Sequence, residues 1–440
     1  MNRQLKKSSK VGLFLVGALA CASFAQDAGD YRGKELRTSF RDKRIDGFNF
    51  ENAKAIEGQT DFQRSAGEAP SFRNASLSGV SFQNAVISNP DFRKADLKKV
   101  VISGADIRGA NFEGANMEEA NLYRATLLDC AFPKTNLKGA RMDAMKVSDR
   151  ADFSKADLTN ASIMDVDLTE ADFSDANLTN ANFTRSLMGS ANLSDATIVK
   201  TDFTACNLIN ADFSGVTLQD VNLEKAGLSR AIFKGTEFNN VNMVGADLSL
   251  TIFDDVDLSK VRLQKAQFAQ STVEDMNFNG QDLTEVVFDK GKVAGSRFEK
   301  AKLNGTSFFD TEVSKNFFKN AQMLKADFDG AYIFKSIFDN AELTKANFAS
   351  ANIESSAFTG AKMTGANFSG AVLKKVDFTN ADLTGMKINA DTKMDNVIFD
   401  GADLSNAKIE KFTAKRVFYN NQTKFPAGFN PRAFGFTKPG

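Results

Sequence analysis

A large apolar residue stands at every fifth position through most of this chain. Residues 151–185 read ADFSK ADLTN ASIMD VDLTE ADFSD ANLTN ANFTR. The central residues run from Phe72, Leu77, Phe82, Ile87 and Phe92 in steps of five to Val147. They restart at Phe153, continue to Ile388, and resume at Met394, Phe399, Leu404 and Ile409, giving 68 repeats. Each restart is a six-residue step, so single residues are inserted near Ser148–Arg150 and near Ala390–Lys393. A period of five matches neither the 3.6-residue helix nor the two-residue strand. It fits a coil with straight sides and a turn at each corner, each side bridging to the coils above and below at about 4.8 Å. The central residue then points inward. The small residue two positions earlier turns in near a corner, where a larger side chain would clash.

With a small residue, Asp or Asn, and then a large apolar residue, the repeat is similar to A(D/N)LXX. The chain thereby resembles the pentapeptide-repeat family over roughly residues 36–430. The resemblance implies an all-β fold, a right-handed quadrilateral parallel β-helix with four repeats per coil. On that basis 68 repeats make about 17 coils and a length of roughly 80 Å. Each buried central side chain contributes roughly 1.5–3 kcal/mol before conformational entropy is subtracted.

Aromatic usage is lopsided, with 41 Phe, 4 Tyr and no Trp. From Phe268 to Phe378 every tenth residue is Phe, and the centres between are aliphatic, from Val273 and Leu283 to Leu373. With twenty residues per coil, Phe occupies two opposite faces and aliphatic residues the other two. The earlier Phe153, Phe173, Phe183, Phe203, Phe213, Phe233 and Phe253 are read as holding the same ten-residue phase, with Phe238 an exception.

There is no histidine, which removes the commonest general base and transition-metal ligand. The first 25 residues read as a secretory signal peptide. Arg3, Lys6, Lys7 and Lys10 precede an apolar stretch, Val11 to Ala22, too short to span a bilayer. Ser23-Phe24-Ala25 offers a cleavage site before Gln26, an uncleaved anchor being the alternative. Ala18-Leu19-Ala20 matches a lipidation motif at Cys21 poorly. The full chain balances 55 basic against 55 acidic residues, so losing four basic residues with the leader leaves a formal charge of −4. That is too mild, and of the wrong sign, for a general nucleic-acid binder.

The expected organisation is a signal peptide over 1–25, an irregular N-terminal lead-in and cap over 26–68, in which Phe40, Ile45 and Phe50 suggest degenerate early repeats before Gln59–Ala69 breaks the pattern, a repeat β-helix over 69–412, and a C-terminal cap and tail over 413–440. Solenoid ends expose sheet edges that must be covered. The aromatics between Tyr419 and Pro431 are expected to cover the last coil, in a closing segment that resembles one common in this family.

Cys130 and Cys206 both fall in the small inward slot and lie 3.75 coils apart, about 18 Å along the axis, beyond disulfide reach. Two free buried thiols are expected. Asp and Asn form columns before the centres, as at Asp152, Asp157, Asp167, Asp172, Asn177 and Asn182, and are expected to satisfy corner backbone groups. The glycine-rich nonapeptide of calcium-binding β-rolls is absent. Thr159, Thr169, Thr179 and Thr184 follow centres, but the columns mix Thr with Ser, Lys, Glu and Asn and read as solvated surface. No catalytic, cofactor-binding or metal-binding residue is assigned, and no cofactor is expected.

The expected function is a non-enzymatic exported scaffold, periplasmic or extracellular, that binds protein partners through flat faces. Nucleic acid is not expected as a partner, nor is a membrane span after leader removal. The alternatives are the gyrase-protecting DNA mimicry known for some members of the resembled family, and a surface-binding adhesin-like rod. DNA mimicry calls for a strongly acidic cytoplasmic dimer, and this sequence departs from it on charge and on its leader.

Overall fold

The computed structural model describes residues 29–253 and 256–438. The signal peptide and Cys21 lie outside the described residues. The chain is all-β, a parallel β-solenoid of about 20 turns rather than about 17. It divides into two compact units, Met1–Ser162 and Ile163–Gly440.

In the first unit the ladder already runs through the segment expected as an irregular lead-in. Asp30 bridges Asn49, Ser39 bridges Asp61, and Arg44 bridges Ala66, all parallel. Two features hide these coils in the sequence. Ser39 and Asp61 are 22 residues apart, so two residues are inserted before Phe62, where the Thr60 hydroxyl donates to the Leu36 carbonyl. Gly67 stands in a central slot because a Cβ there would come within 2.9 Å of the Ile45 backbone carbon.

In the second unit the pairing offset is twenty residues, four sides of five. Phe328 donates its N–H to the Asn347 carbonyl at 2.7 Å, and Asp327 donates back to Thr306 at 2.9 Å. The residue two after most centres turns the corner with a left-handed backbone, as at Asp175 (φ 56°), Asn180 (φ 57°) and Gly215 (φ 71°). Gly and Asn adopt that conformation most cheaply, which explains their recurrence there. One side is flatter than the rest. Ten strands, from Ile252–Phe253 through Thr272–Glu274, Lys292–Ala294 and Tyr332–Phe334 to Phe436–Thr437, form one continuous parallel sheet.

Phe rings fill the interior as stacked columns. Phe298, Phe318, Phe338 and Phe358 lie one above another, with centroids 4.6 to 4.8 Å apart. Phe308, Phe328 and Phe348 form the opposite column, and rings of the two columns meet edge to face, as at Phe328–Phe338 with 85° between planes. Stacking within columns and edge contact between them are the two arrangements the ring quadrupole favours.

The single-phase expectation for Phe fails before Phe268. Phe213, Phe233 and Phe253 stack in a column that continues upward as Val273 and Val293, because Phe253 pairs with Val273. The Phe268 column instead continues downward as Leu248, since Asp247 bridges Gln267. The step from Phe253 to Phe268 is fifteen residues, three sides of a coil. Below this point Phe fills the column of Phe213, Phe233 and Phe253, with Leu223, Met243 and Leu263 opposite, and above it Phe fills the other two faces.

Both single-residue insertions appear in the register. Ala131 bridges Asp152 and Leu373 pairs with Met394, each 21 residues apart. A third 21-residue step, Asp403 to Lys424, was not anticipated. The second and third share one structure. Asn389 accepts the Gly370 N–H at 2.7 Å while Thr392 donates to the Phe368 carbonyl at 3.0 Å. Asn420 accepts from Gly401 at 3.0 Å while Thr423 donates to Phe399 at 2.8 Å. An Asn-x-x-Thr turn thus seals each added residue. At the C-terminal end, Thr413–Phe418 and Phe436–Thr437 extend the flat sheet, and Phe436 stacks over Phe399 at 5.9 Å.

Candidate interaction surface

The outward Asp and Asn columns are occupied by the fold itself. Asp157 Oδ1 accepts the backbone N–H of Thr159 at 3.1 Å and its hydroxyl at 2.6 Å. Thr169, Thr179 and Thr184 bind Asp167, Asn177 and Asn182 in the same way. The recurrent threonines are thus held to their own corners rather than arrayed toward a ligand. Between coils, Asn116 donates to Asp96 and Asn136 to Asn116. The same Asp–Asn–Asn ladder recurs at Asp202–Asn222–Asn242 and Asp327–Asn347–Asn367. In each, the carboxylate starts a chain of amide donors, which satisfies groups that a lone Asn would leave half-used.

Inward polar residues are also committed. Slot residues donate to the carbonyl 23 positions earlier, as Thr135 to Phe112 at 2.9 Å and Ser271 to Leu248 at 2.7 Å. Cys206 makes the same contact to Phe183 and Cys130 to Ile107. Both thiols are free and buried, and burial pushes their pKa up to about 12. They are inert structural residues in character. At the end of the solenoid, Asp403 is held down to about 2, first by its hydrogen bonds from Ser405 and then by the Lys424 ammonium at 2.9 Å.

Among the described residues, no group of three or more His, Cys, Asp or Glu is arranged to hold a metal ion, and no helix is long and apolar enough to cross a membrane. One surface depression is lined by Ile252, Asp257, Thr272 and Glu274.

Several apolar side chains project outward. Ile252 is 69% exposed, Ile232 48% and Phe317 40%. Leu324, Tyr332 and Val372 are exposed too. Sequence periodicity pointed only at centres and missed these, because they occupy the variable positions. Their signal is an apolar residue in a column that otherwise holds polar or charged ones, as Ile252, Tyr332 and Val372 stand with Thr272, Lys292, Glu312 and Asn352.

These features define a class, a parallel β-solenoid of five-residue repeats that presents flat faces. The chain belongs to the pentapeptide-repeat family. The family profile described as pentapeptide repeat region matches residues 105–183, 156–233, 311–388 and 331–409. That described as pentapeptide repeats (8 copies) matches 71–104, 222–259 and 231–268. No curated protein matches the sequence. Among solved structures, HetL is a pentapeptide repeat protein involved in heterocyst differentiation regulation from the cyanobacterium Nostoc sp. strain PCC 7120. It is 25% identical, with a TM-score of 0.26 over 55% of this chain and 94% of its own. QnrB1, a plasmid-mediated fluoroquinolone resistance protein, is 18% identical, with a TM-score of 0.27 over 55% of this chain and 94% of its own. A pentapeptide repeat protein of the Arabidopsis thaliana thylakoid lumen is 22% identical, with a TM-score of 0.07 over 42% of this chain and 71% of its own.

Proposed function

We propose that the protein is an exported, non-enzymatic scaffold that binds protein partners through its flat faces. The observation that supports this most is the division of labour among side chains. Asp, Asn, Ser and Thr are tied to the protein's own corners, as in the Thr159–Asp157 pair. Ile252, Phe317 and Tyr332 meanwhile stand exposed on flat sides. Catalysis needs convergent polar groups in a pocket, whereas apolar side chains set among charges on an open face suit protein contact. Export rests on the basic and apolar leader ending at Ala25. A DNA mimic would need continuous acidity, and the flat face changes charge sign along its length.

The test is to tag the chain, cross-link it in its native cell, fractionate, and identify what is captured. The expected result is co-fractionation with exported markers and repeated capture of the same envelope or secreted proteins. Recovery with cytoplasmic markers would remove the export half of the proposal. Capture of nothing but the chain itself would remove the scaffold half.

A further inference from the structure

The side of the second unit that carries the ten-stranded sheet bears opposite charge in its two halves, and we propose that it docks against the same face of a second, antiparallel copy. This deepens the scaffold reading by naming one partner, and purified protein alone tests it, so a missing outside partner leaves it unaffected.

The chain as a whole balances 55 basic and 55 acidic residues, but this face does not mix them evenly. Its lower half carries Asp172, Asp195, Asp212, Glu274 and Asp275, with Lys234 the exception. Its upper half carries Lys315, Lys335, Lys374, Lys375, Lys393 and Lys415, with Glu312, Glu354 and Asp395 the exceptions. Residues in register along the face are fixed by pairing. Ile252 aligns with Thr272, Lys292, Glu312, Tyr332, Asn352 and Val372.

A two-fold axis lying in the face, along the strand Lys292–Ala294, reverses the coil order but preserves position along each strand. Coils equally far above and below the axis then meet, column for column. Ile252 of one copy meets Tyr332 of the other, and both are exposed, at 69% and 39%. Asp275 meets Lys315 in the corner column. Lys234, the cation of the acidic half, meets Glu354, an anion of the basic half. At the axis itself Ala294 and Gly295 are small, and Lys292 meets Lys292 of the other copy, each held by its own Glu274 at 2.6 Å. One pair from the rule and one from its exceptions thus meet in this register, while Glu312 and Asp395 face Thr272 and Ser194, and Glu354 also holds Lys374 of its own chain at 3.2 Å.

The scale also fits. From Asp172 to Thr413 the face runs roughly 58 Å, and at roughly 12 Å wide it offers about 700 Å² per copy. Specific interfaces bury about 800 Å² per partner. Complementary charge sets the register and the encounter rate, while the Ile252–Tyr332 contacts exclude water near the centre.

The experiment is sedimentation equilibrium of the purified chain lacking its leader, at low and high salt. A dimer weakened by salt is expected. Lys234→Glu alone and Glu354→Lys alone should each weaken it roughly tenfold or more, since each places two like-charge pairs in the interface. The double variant Lys234→Glu/Glu354→Lys should return to within about threefold of the original. On mild oxidation, Ile252→Cys/Tyr332→Cys should cross-link between copies and Ile252→Cys alone should not, while Cys130 and Cys206 remain buried. Circular dichroism confirms that each variant folds. A monomer at every concentration and salt overturns the pairing, as does a dimer indifferent to the reversals or cross-linked by Ile252→Cys alone. A monomer that instead binds heparin through Lys335 and Lys375 also overturns it, assigning the basic half to an anionic polymer.

Discussion

Ser296 donates its backbone N–H to Asn316 Oδ1, 2.8 Å away in the next coil. Asn316 is fully buried in a slot that otherwise takes Ala, Ser or Thr, and its Nδ2 donates to the Val293 carbonyl at 2.8 Å. It belongs to a buried column in which each side chain accepts the N–H of the coil below, Ser336 from Asn316 and Ser356 from Ser336. Truncation of Asn316 to Ala leaves two backbone groups short of a partner and should cost about 1–3 kcal/mol in urea unfolding. Asn316→Ser should cost less, because Ser336 makes both contacts from the same slot. Equal losses in the two variants would contradict this account.

Neighbouring phenylalanines separate core from surface. Phe318→Ala empties a place in a stacked column and should destabilise the protein by about 3–5 kcal/mol. Phe317→Ala removes an exposed ring and should change stability by no more than about 0.5 kcal/mol. Thermal unfolding of the two variants side by side checks the assignment. Comparable effects would mean that the inward and outward positions are misassigned.

Cys130 and Cys206 should be silent toward a thiol reagent at pH 8 in the native protein and should both react after denaturation. The reason is burial, which raises both thiols to about 12 and shields them from the reagent. Rapid native labelling of either would refute the slot assignment.

Acid should loosen the C-terminal end. The Asp403 carboxyl is depressed to about 2, below the ordinary unfolded value near 3.9. A group depressed in the folded state adds stability above its unfolded pKa and loses it as pH falls through the folded one. Wild type should therefore exceed Asp403→Asn in thermal midpoint at pH 6, and the gap should close between about pH 4 and pH 2. A gap that stays constant across that range would show that Asp403 acts through something other than its charge.

Much of the fold was legible because every centre does the same job. A Phe at every tenth position from Phe268 to Phe378 requires two opposite columns, and the structure has them. The failures came where a slot was filled by an atypical residue or where phase was counted locally. Phe40, Ile45 and Phe50 read as early repeats, but Ala55 and Gly67 occupy centres without looking like centres, which hid their continuity with the later coils. Counting by tens on each side of Phe253 and Phe268 concealed the fifteen-residue step between them. The Asn420–Thr423 turn went unread, although its likeness to Asn389–Thr392 is visible in the letters. The candidate surface was least legible. Its match between Lys234 and Glu354 exists only once coils are aligned at twenty residues and then reversed, and no local period encodes that.

The change of Phe columns at Phe253 and Phe268 bears on how such a chain can be lengthened or recombined. A block of twenty residues copied within Phe268–Phe378 sets Phe on Phe and aliphatic on aliphatic, so interior volume is conserved. The same block grafted below the joint sets Phe where the neighbours are mostly aliphatic, and an aliphatic residue over the Phe213 column. The chain is thus two cassettes with incompatible bore patterns, and the joint marks where a graft needs a spacer of three repeats to fit.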